Sequence, residues 1–365
     1  MVSARDYMLP HLKKCELVYY SGKLRVKPIA SLNMNEYQYD VSPKVVEALK
    51  AEAPRANFYV HLGDGPTGEL REKIAKYVGV DIENIALDES LDQALNRIPK
   101  AFVGGEDNVV TMSPTYPELE CGTNRMGGGG AKKVLLEEPD FDLDPDAILE
   151  ACDEKTKIVF LCNPNNPTSS KYSRDDILKV VENAKAVVIV DECYYEYCKE
   201  TVADVVNEYK NLYVARSFSK GFGLAGAKMA YYVGSDEACD TYMRTMSGFE
   251  FNRFGVFGAM AALGDLGYYK DIWKKVNEEK ARMADEFTKL GMKVWDSATS
   301  FLFMDVSATG KTSTEIKDMF LDDYRILVRD VNGTFPELDK KYVSFGTGKP
   351  EINDMLIEGF KKCFS

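Results

Sequence analysis

Short, uninterrupted apolar runs alternate with longer stretches of helical spacing through the first two-thirds of the chain. Residues 108–112, 157–161, 186–190 and 212–215 are rich in β-branched side chains, lack polar alternation and are bounded by turn residues. Continuous apolar character is what a strand needs when both its faces are covered, so these runs predict strands of a parallel sheet. Between them, residues 145–152 and 173–184 carry helical spacing, and Ser173 is placed to cap the second. Repeated strand–helix units predict an α/β fold, with a large domain whose mostly parallel sheet is flanked by helices. The glycine run at 127–130 reads as a flexible turn before a further strand.

The texture changes near Tyr268. A charged amphipathic stretch over 269–290 leads into strand-like segments at 300–306 and 341–345. That predicts a smaller α+β domain, to which the N-terminal residues, with Pro10 and Pro28, also belong. The expected division is 31–250 for the large domain, and 1–30 with 251–365 for the small one.

Composition narrows the chemistry. Of 365 residues, 46 are Lys or Arg and 58 are Asp or Glu, a net charge of −12. No basic stripe is available to displace phosphate counterions or dock on an anionic membrane, so nucleic-acid and membrane-surface partners are excluded. The eight cysteines form no C-x-x-C pair and histidine occurs only at His11 and His61, so no metal site is expected. Cys162 and Cys193 sit inside apolar runs and read as free buried thiols of a reducing compartment. The first ten residues lack an apolar signal core, and no run approaches the roughly 18 apolar residues of a membrane span. A soluble cytoplasmic protein is expected.

Two motifs mislead. Gly221, Gly223 and Gly226 spell G-x-G-x-x-G, but strand-like residues 227–233 follow where a dinucleotide site needs a helix. Gly310-Lys311-Thr312 ends like a phosphate-binding loop, yet the first glycine of that motif would be Asp305.

Three islands remain, each just beyond a predicted strand. Asn163-Pro164-Asn165-Asn166-Pro167-Thr168 follows the run 157–161. Asp191 and Tyr194 follow 186–190, and Ser217-Phe218-Ser219-Lys220 follows 212–215. In an open α/β sheet ligands bind at the carboxyl ends of the strands, so the islands share one site. A lysine amine can condense with an aldehyde, and a carboxylate beside a pyridine nitrogen keeps it protonated as an electron sink. An amide and a phenol can bond a phenolate oxygen, and hydroxyls with backbone N–H groups can hold a phosphate. That set describes pyridoxal 5′-phosphate.

The ordered motifs extend over nearly the whole chain. Asn35-Glu36, Leu70-Arg71-Glu72, Val78-Gly79-Val80, Glu83-Asn84-Ile85, Pro114-Thr115-Tyr116 and the segment 217–226 resemble those of the fold type I aminotransferases of the aspartate aminotransferase superfamily. Within it the sequence is most similar to histidinol-phosphate aminotransferases. The resemblance implies that Lys220 carries the cofactor as a Schiff base, Asp191 pairs with the pyridine nitrogen, and Asn166 and Tyr194 contact O3′. It implies that Tyr116 stacks on the ring, while Ser217, Ser219, Lys228 and the backbone at Leu91 and Asp92 hold the phosphate. Tyr59 stands where the family has a tyrosine reaching the neighbouring subunit's phosphate, which implies a homodimer with shared active sites.

The departures are specific. The family's glycine-rich phosphate turn reads Asp88-Glu89-Ser90-Leu91-Asp92-Gln93, with Leu91 for the hydroxyl residue. Lys228 replaces an arginine and Ser169 a glycine. Tyr342 occupies the position of a substrate-binding arginine, whereas Arg329 matches the second anion-binding arginine. Lys340, Lys341 and Arg253 are candidate replacements. The expected activity is transfer of an amino group from a histidinol-phosphate-like or aromatic amine to a 2-oxo acid. A decarboxylase or other lyase on the same fold, and a cofactor-binding protein without turnover, are the alternatives.

Overall fold

The apolar runs become strands, and the points where they end decide where the site lies. A computed structural model describes residues 4–14 and 24–364, so Cys15 and part of the N-terminal segment lie outside the described residues. The described chain forms a two-residue strand, β1 (Ala30–Ser31), and then seven strands of one sheet. These are β2 (Ile85–Asp88), β3 (Asn108–Ser113), β4 (Ala131–Leu135), β5 (Thr156–Cys162), β6 (Val187–Asp191), β7 (Leu212–Ser217) and β8 (Ala230–Gly234). Five shorter strands follow: β9 (Lys293–Val294), β10 (Phe301–Asp305), β11 (Ile326–Leu327), β12 (Arg329–Asp330) and β13 (Tyr342–Gly346).

The large sheet runs β2-β8-β7-β6-β5-β3-β4, with parallel pairing from β7 through β4 and antiparallel pairing of β8 with both its neighbours. Register does the positioning. Cys162 lies opposite Asp191, and Asp191 opposite Ala215, so β5, β6 and β7 finish side by side and their three loops emerge together. Helices flank the sheet as the spacing predicts. Ser173 Oγ accepts the Asp176 N–H at 3.1 Å and caps Arg174–Asn183, while Ile177, Val180 and Val181 are buried; such a cap contributes about 1 kcal/mol.

β12, β13, β10 and β9 form a second, antiparallel sheet, and β1 pairs with β11 in parallel. One 24-residue helix, Leu266–Lys289, serves both cores. Its Tyr269, Trp273 and Val276 pack with the large sheet, and its Met283 and Phe287 with Leu302, Met304, Val343 and Phe345 of the small one.

The misleading motifs acquire structural roles. The loop between β7 and β8 contains no helix. Thr312 caps the helix Ser313–Asp323, with Glu315 bonding back to the Thr312 N–H at 2.8 Å. Among the described residues no helix is long and apolar enough to cross a membrane, and no group of His, Cys, Asp and Glu could hold a metal ion.

Candidate active site

The asparagine-rich turn beyond β5 divides its labour. Asn163 Oδ1 accepts the Tyr172 N–H at 2.7 Å. Asn165 donates to the Pro114 carbonyl at 3.0 Å and to Thr168 Oγ1 at 2.9 Å, and its oxygen accepts from Thr115. These bonds lock the turn against the loop after β3. Asn166 faces elsewhere: its Oδ1 accepts from Arg329 Nη1, on β12, at 3.3 Å.

Asp191 ends β6 fully buried, and its Oδ1 accepts the Cys193 N–H at 2.9 Å. Burial pushes the carboxyl up to about 6, against the pull of the Cys193 N–H and thiol. The Tyr194 hydroxyl accepts from Asn35 Nδ2 at 3.3 Å, and its ring packs edge-on against Phe301 at 5.4 Å. Lys220 follows β7; its Nζ lies 6.0 Å from the Tyr194 ring centre and donates to the carbonyls of Met34 at 2.9 Å and Asn35 at 3.2 Å. Burial holds this amine below its ordinary value.

The residues expected at the phosphate offer main chain and hydroxyls. Ser217 Oγ accepts the Ser219 N–H at 3.0 Å. Leu91 and Asp92 open the helix Leu91–Arg97, capped by Ser90, which accepts the Gln93 N–H at 3.3 Å. Leu91's side chain is buried. Tyr116 donates to Asp92 Oδ1 at 2.7 Å. Lys228, held at φ 60°, lines a cavity of about 640 Å³ with Ser90, Asp92 and Asn252.

Beneath this floor Arg216 Nε and Nη2 both donate to Glu192 Oε2, at 3.0 and 2.8 Å, with both side chains almost completely buried. Glu192 Oε1 also accepts the Val202 N–H at 2.8 Å.

Two expected residues stand apart. Tyr342 turns into an aromatic cluster, stacked on Phe303 at 5.0 Å and edge-on to Phe141 and Trp295, and its hydroxyl donates to Glu138. None of these partners is Asn166 or Arg329. Tyr59 is exposed and packs against Phe249 at 5.5 Å rather than on the Lys220 group of its own chain. Two of the candidate replacement cations are already engaged, Lys341 with Glu138 at 3.1 Å and Arg253 with Glu52 at 2.6 Å; Lys340 is exposed.

The residues that sequence reasoning leaves without a role form a strap, Asn33-Met34-Asn35. Its three successive carbonyls accept from Arg329 Nε at 2.8 Å and from Lys220, and Asn35 itself holds a positive φ of 53°.

An acid, an amine, an amide and a phenol thus converge from neighbouring strand ends, beside hydroxyls and a helix start. This donor set fits a phosphorylated pyridine aldehyde, and with the sheet it defines a fold type I cofactor cleft. The pattern of the aminotransferase class I and II family matches residues 27–342. The histidinol-phosphate aminotransferase of Methanosarcina barkeri is 33% identical over 89% of this chain and 90% of that protein. The one from Methanosarcina mazei is 33% identical over 93% and 89%. The crystal structure of histidinol-phosphate aminotransferase from Sinorhizobium meliloti in complex with pyridoxal-5′-phosphate shares the fold, with a TM-score of 0.86 at 23% identity over 99% of this chain and 98% of that one. The chain belongs to the class I and II aminotransferases, which are pyridoxal 5′-phosphate-dependent enzymes.

Proposed function

We propose that this aminotransferase takes its amino group from a donor whose anionic group meets Arg329, of the histidinol-phosphate or aromatic amino-acid class, and delivers it to a 2-oxo acid. The observation that carries this reading is the junction of Arg329 with Asn166 and the Asn33 carbonyl, a fixed guanidinium beside the Lys220 amine. The bound cofactor supplies an aldehyde that links amines covalently and a ring that withdraws electrons. Asp191 would keep the ring nitrogen protonated. Asn166 and Tyr194 would bond the ring oxygen, and Tyr116 would cover the ring. Ser217, Ser219, Lys228 and the N–H groups at Leu91 and Asp92 would hold the phosphate. Burial disfavours the charged form of the Lys220 amine, and Lys220 Nζ would move the proton from the donor's α-carbon.

Two copies pair so that Tyr59 of one reaches the phosphate in the other. The exposed aromatic patch of Phe58 (62%), Tyr59 (78%) and Phe249 (62%) supports that pairing. The free buried thiols Cys162 and Cys193 support a cytoplasmic location. Tyr342, in place of a basic residue, favours a second reading, a decarboxylase or other lyase, which would release carbon dioxide without a keto product.

The test is a half-reaction. The cofactor-loaded enzyme is mixed with histidinol phosphate, then separately with aromatic, acidic and basic amino acids, and cofactor absorbance is followed. Conversion to the amine form by histidinol phosphate or an aromatic donor supports the reading. Failure of every amine, while borohydride still traps the cofactor on Lys220, refutes the donor class.

A further inference from the structure

We propose that Tyr197 and Trp273 are positioning residues that fix the main chain at Lys220 and thereby aim its amine at the cofactor; this rests on the assignment of Lys220 above.

The loop that carries Lys220 is irregular, and neither the Lys220 nor the Gly221 carbonyl receives a main-chain donor among the described residues. Each is instead taken by one side chain. The Tyr197 hydroxyl donates to the Lys220 carbonyl at 3.1 Å, and Trp273 Nε1 donates to the Gly221 carbonyl at 2.6 Å. Both side chains are buried, and each spends its single polar hydrogen on this one segment. A buried phenol or indole needs a partner for that hydrogen, and a rigid ring delivers it with little loss of rotamer freedom.

A third contact closes the clamp. A Cβ at Gly221 would lie 2.5 Å from Glu196 Cγ, so the Glu196 side chain rests directly on the peptide and only glycine fits. Glu196 is itself held by the Tyr77 hydroxyl at 3.2 Å. Lysine has four flexible methylene bonds, so the aim of its amine depends first on where the main chain points the Cα–Cβ bond. Tyr197 comes from the short helix Tyr195–Cys198 that follows Asp191, and Trp273 from the helix shared by both cores. The Tyr197 carbonyl also accepts from Asn277 of that helix at 3.0 Å. The Lys220 backbone is therefore tied to the strand of the acid on one side and to the inter-core helix on the other.

The test uses holoenzyme of Tyr197→Phe, Trp273→Phe and the double variant, with turnover counted per site that borohydride labels on Lys220. The expected result is a kcat lower by about tenfold in each single variant, with KM within twofold. The circular dichroism of the bound cofactor's visible band changes, and thermal midpoints fall by only a few degrees. The double variant loses less than the product of the single losses, because both bonds act through one segment. An unchanged kcat per labelled site with unchanged dichroism in both single variants overturns the proposal, as does fully multiplicative loss in the double. Should Trp273→Phe not fold, Tyr197→Phe, which deletes one oxygen, decides alone by the kcat and dichroism criteria. A borohydride label on a different lysine of the wild type would instead overturn the assignment of Lys220 and the clamp with it.

Discussion

The Arg329 guanidinium donates to the Asn166 side-chain oxygen at 3.3 Å, joining the smaller sheet to the turn beyond β5 of the larger one. A lysine keeps the charge but loses the fork that reaches Asn166 and the Asn33 carbonyl together. Arg329→Lys is expected to lower kcat/KM for an anionic donor by about 10- to 100-fold, mostly through KM. Steady-state kinetics with donors that carry and lack the anionic group check it, because only the former should suffer.

Tyr342 is expected to be silent toward substrate. Its hydroxyl serves Glu138, which is half-exposed and can return to water, so Tyr342→Phe should cost about 1 kcal/mol of stability. Turnover should stay within twofold of wild type. A tenfold rise in KM would show instead that the hydroxyl reaches the donor.

Arg216 and Glu192 form an almost completely buried pair, and removing one partner leaves the other charge stranded. Arg216→Met should therefore destabilise the protein by about 3–5 kcal/mol. Chemical denaturation of the cofactor-free protein measures this. A loss below 1 kcal/mol would mean that water reaches the pair.

Lys280 is buried with its ammonium donating to the Thr299 carbonyl at 2.5 Å, and burial pulls it from 10.5 down to about 8. The unfolded chain keeps the proton across that interval while the folded one has released it. Stability from this group is therefore complete above the unfolded value, and is lost as pH falls through about 8. Lys280→Met should raise the urea midpoint at pH 7 and flatten its climb between pH 8 and 10. An unaltered pH profile would contradict the assignment.

What was legible in the chain follows from which forces leave a mark on residue type. β3, β5, β6 and β7 are covered on both faces, so burial wrote them as continuous apolar runs. Asp191, Asn166 and Lys220 were visible because each follows such a run. β2, only four residues long, offered too little pattern to separate it from its flanks. Asn35 was visible as part of a motif, but the carbonyl role of Asn33, Met34 and Asn35 was not, because every residue possesses that oxygen. The seclusion of Tyr342 depends on Glu138, 204 positions earlier, and no local spacing could announce it.

The pairing of β1 with β11 sets Ala30 beside Ile326. During synthesis the strand that leads into the strap must wait for nearly the whole remaining chain before its partner exists, while the parallel sheet between them can already condense. The strap over Lys220 therefore depends on contacts made across most of the chain, Arg329 reaching the Asn33 carbonyl over 296 positions.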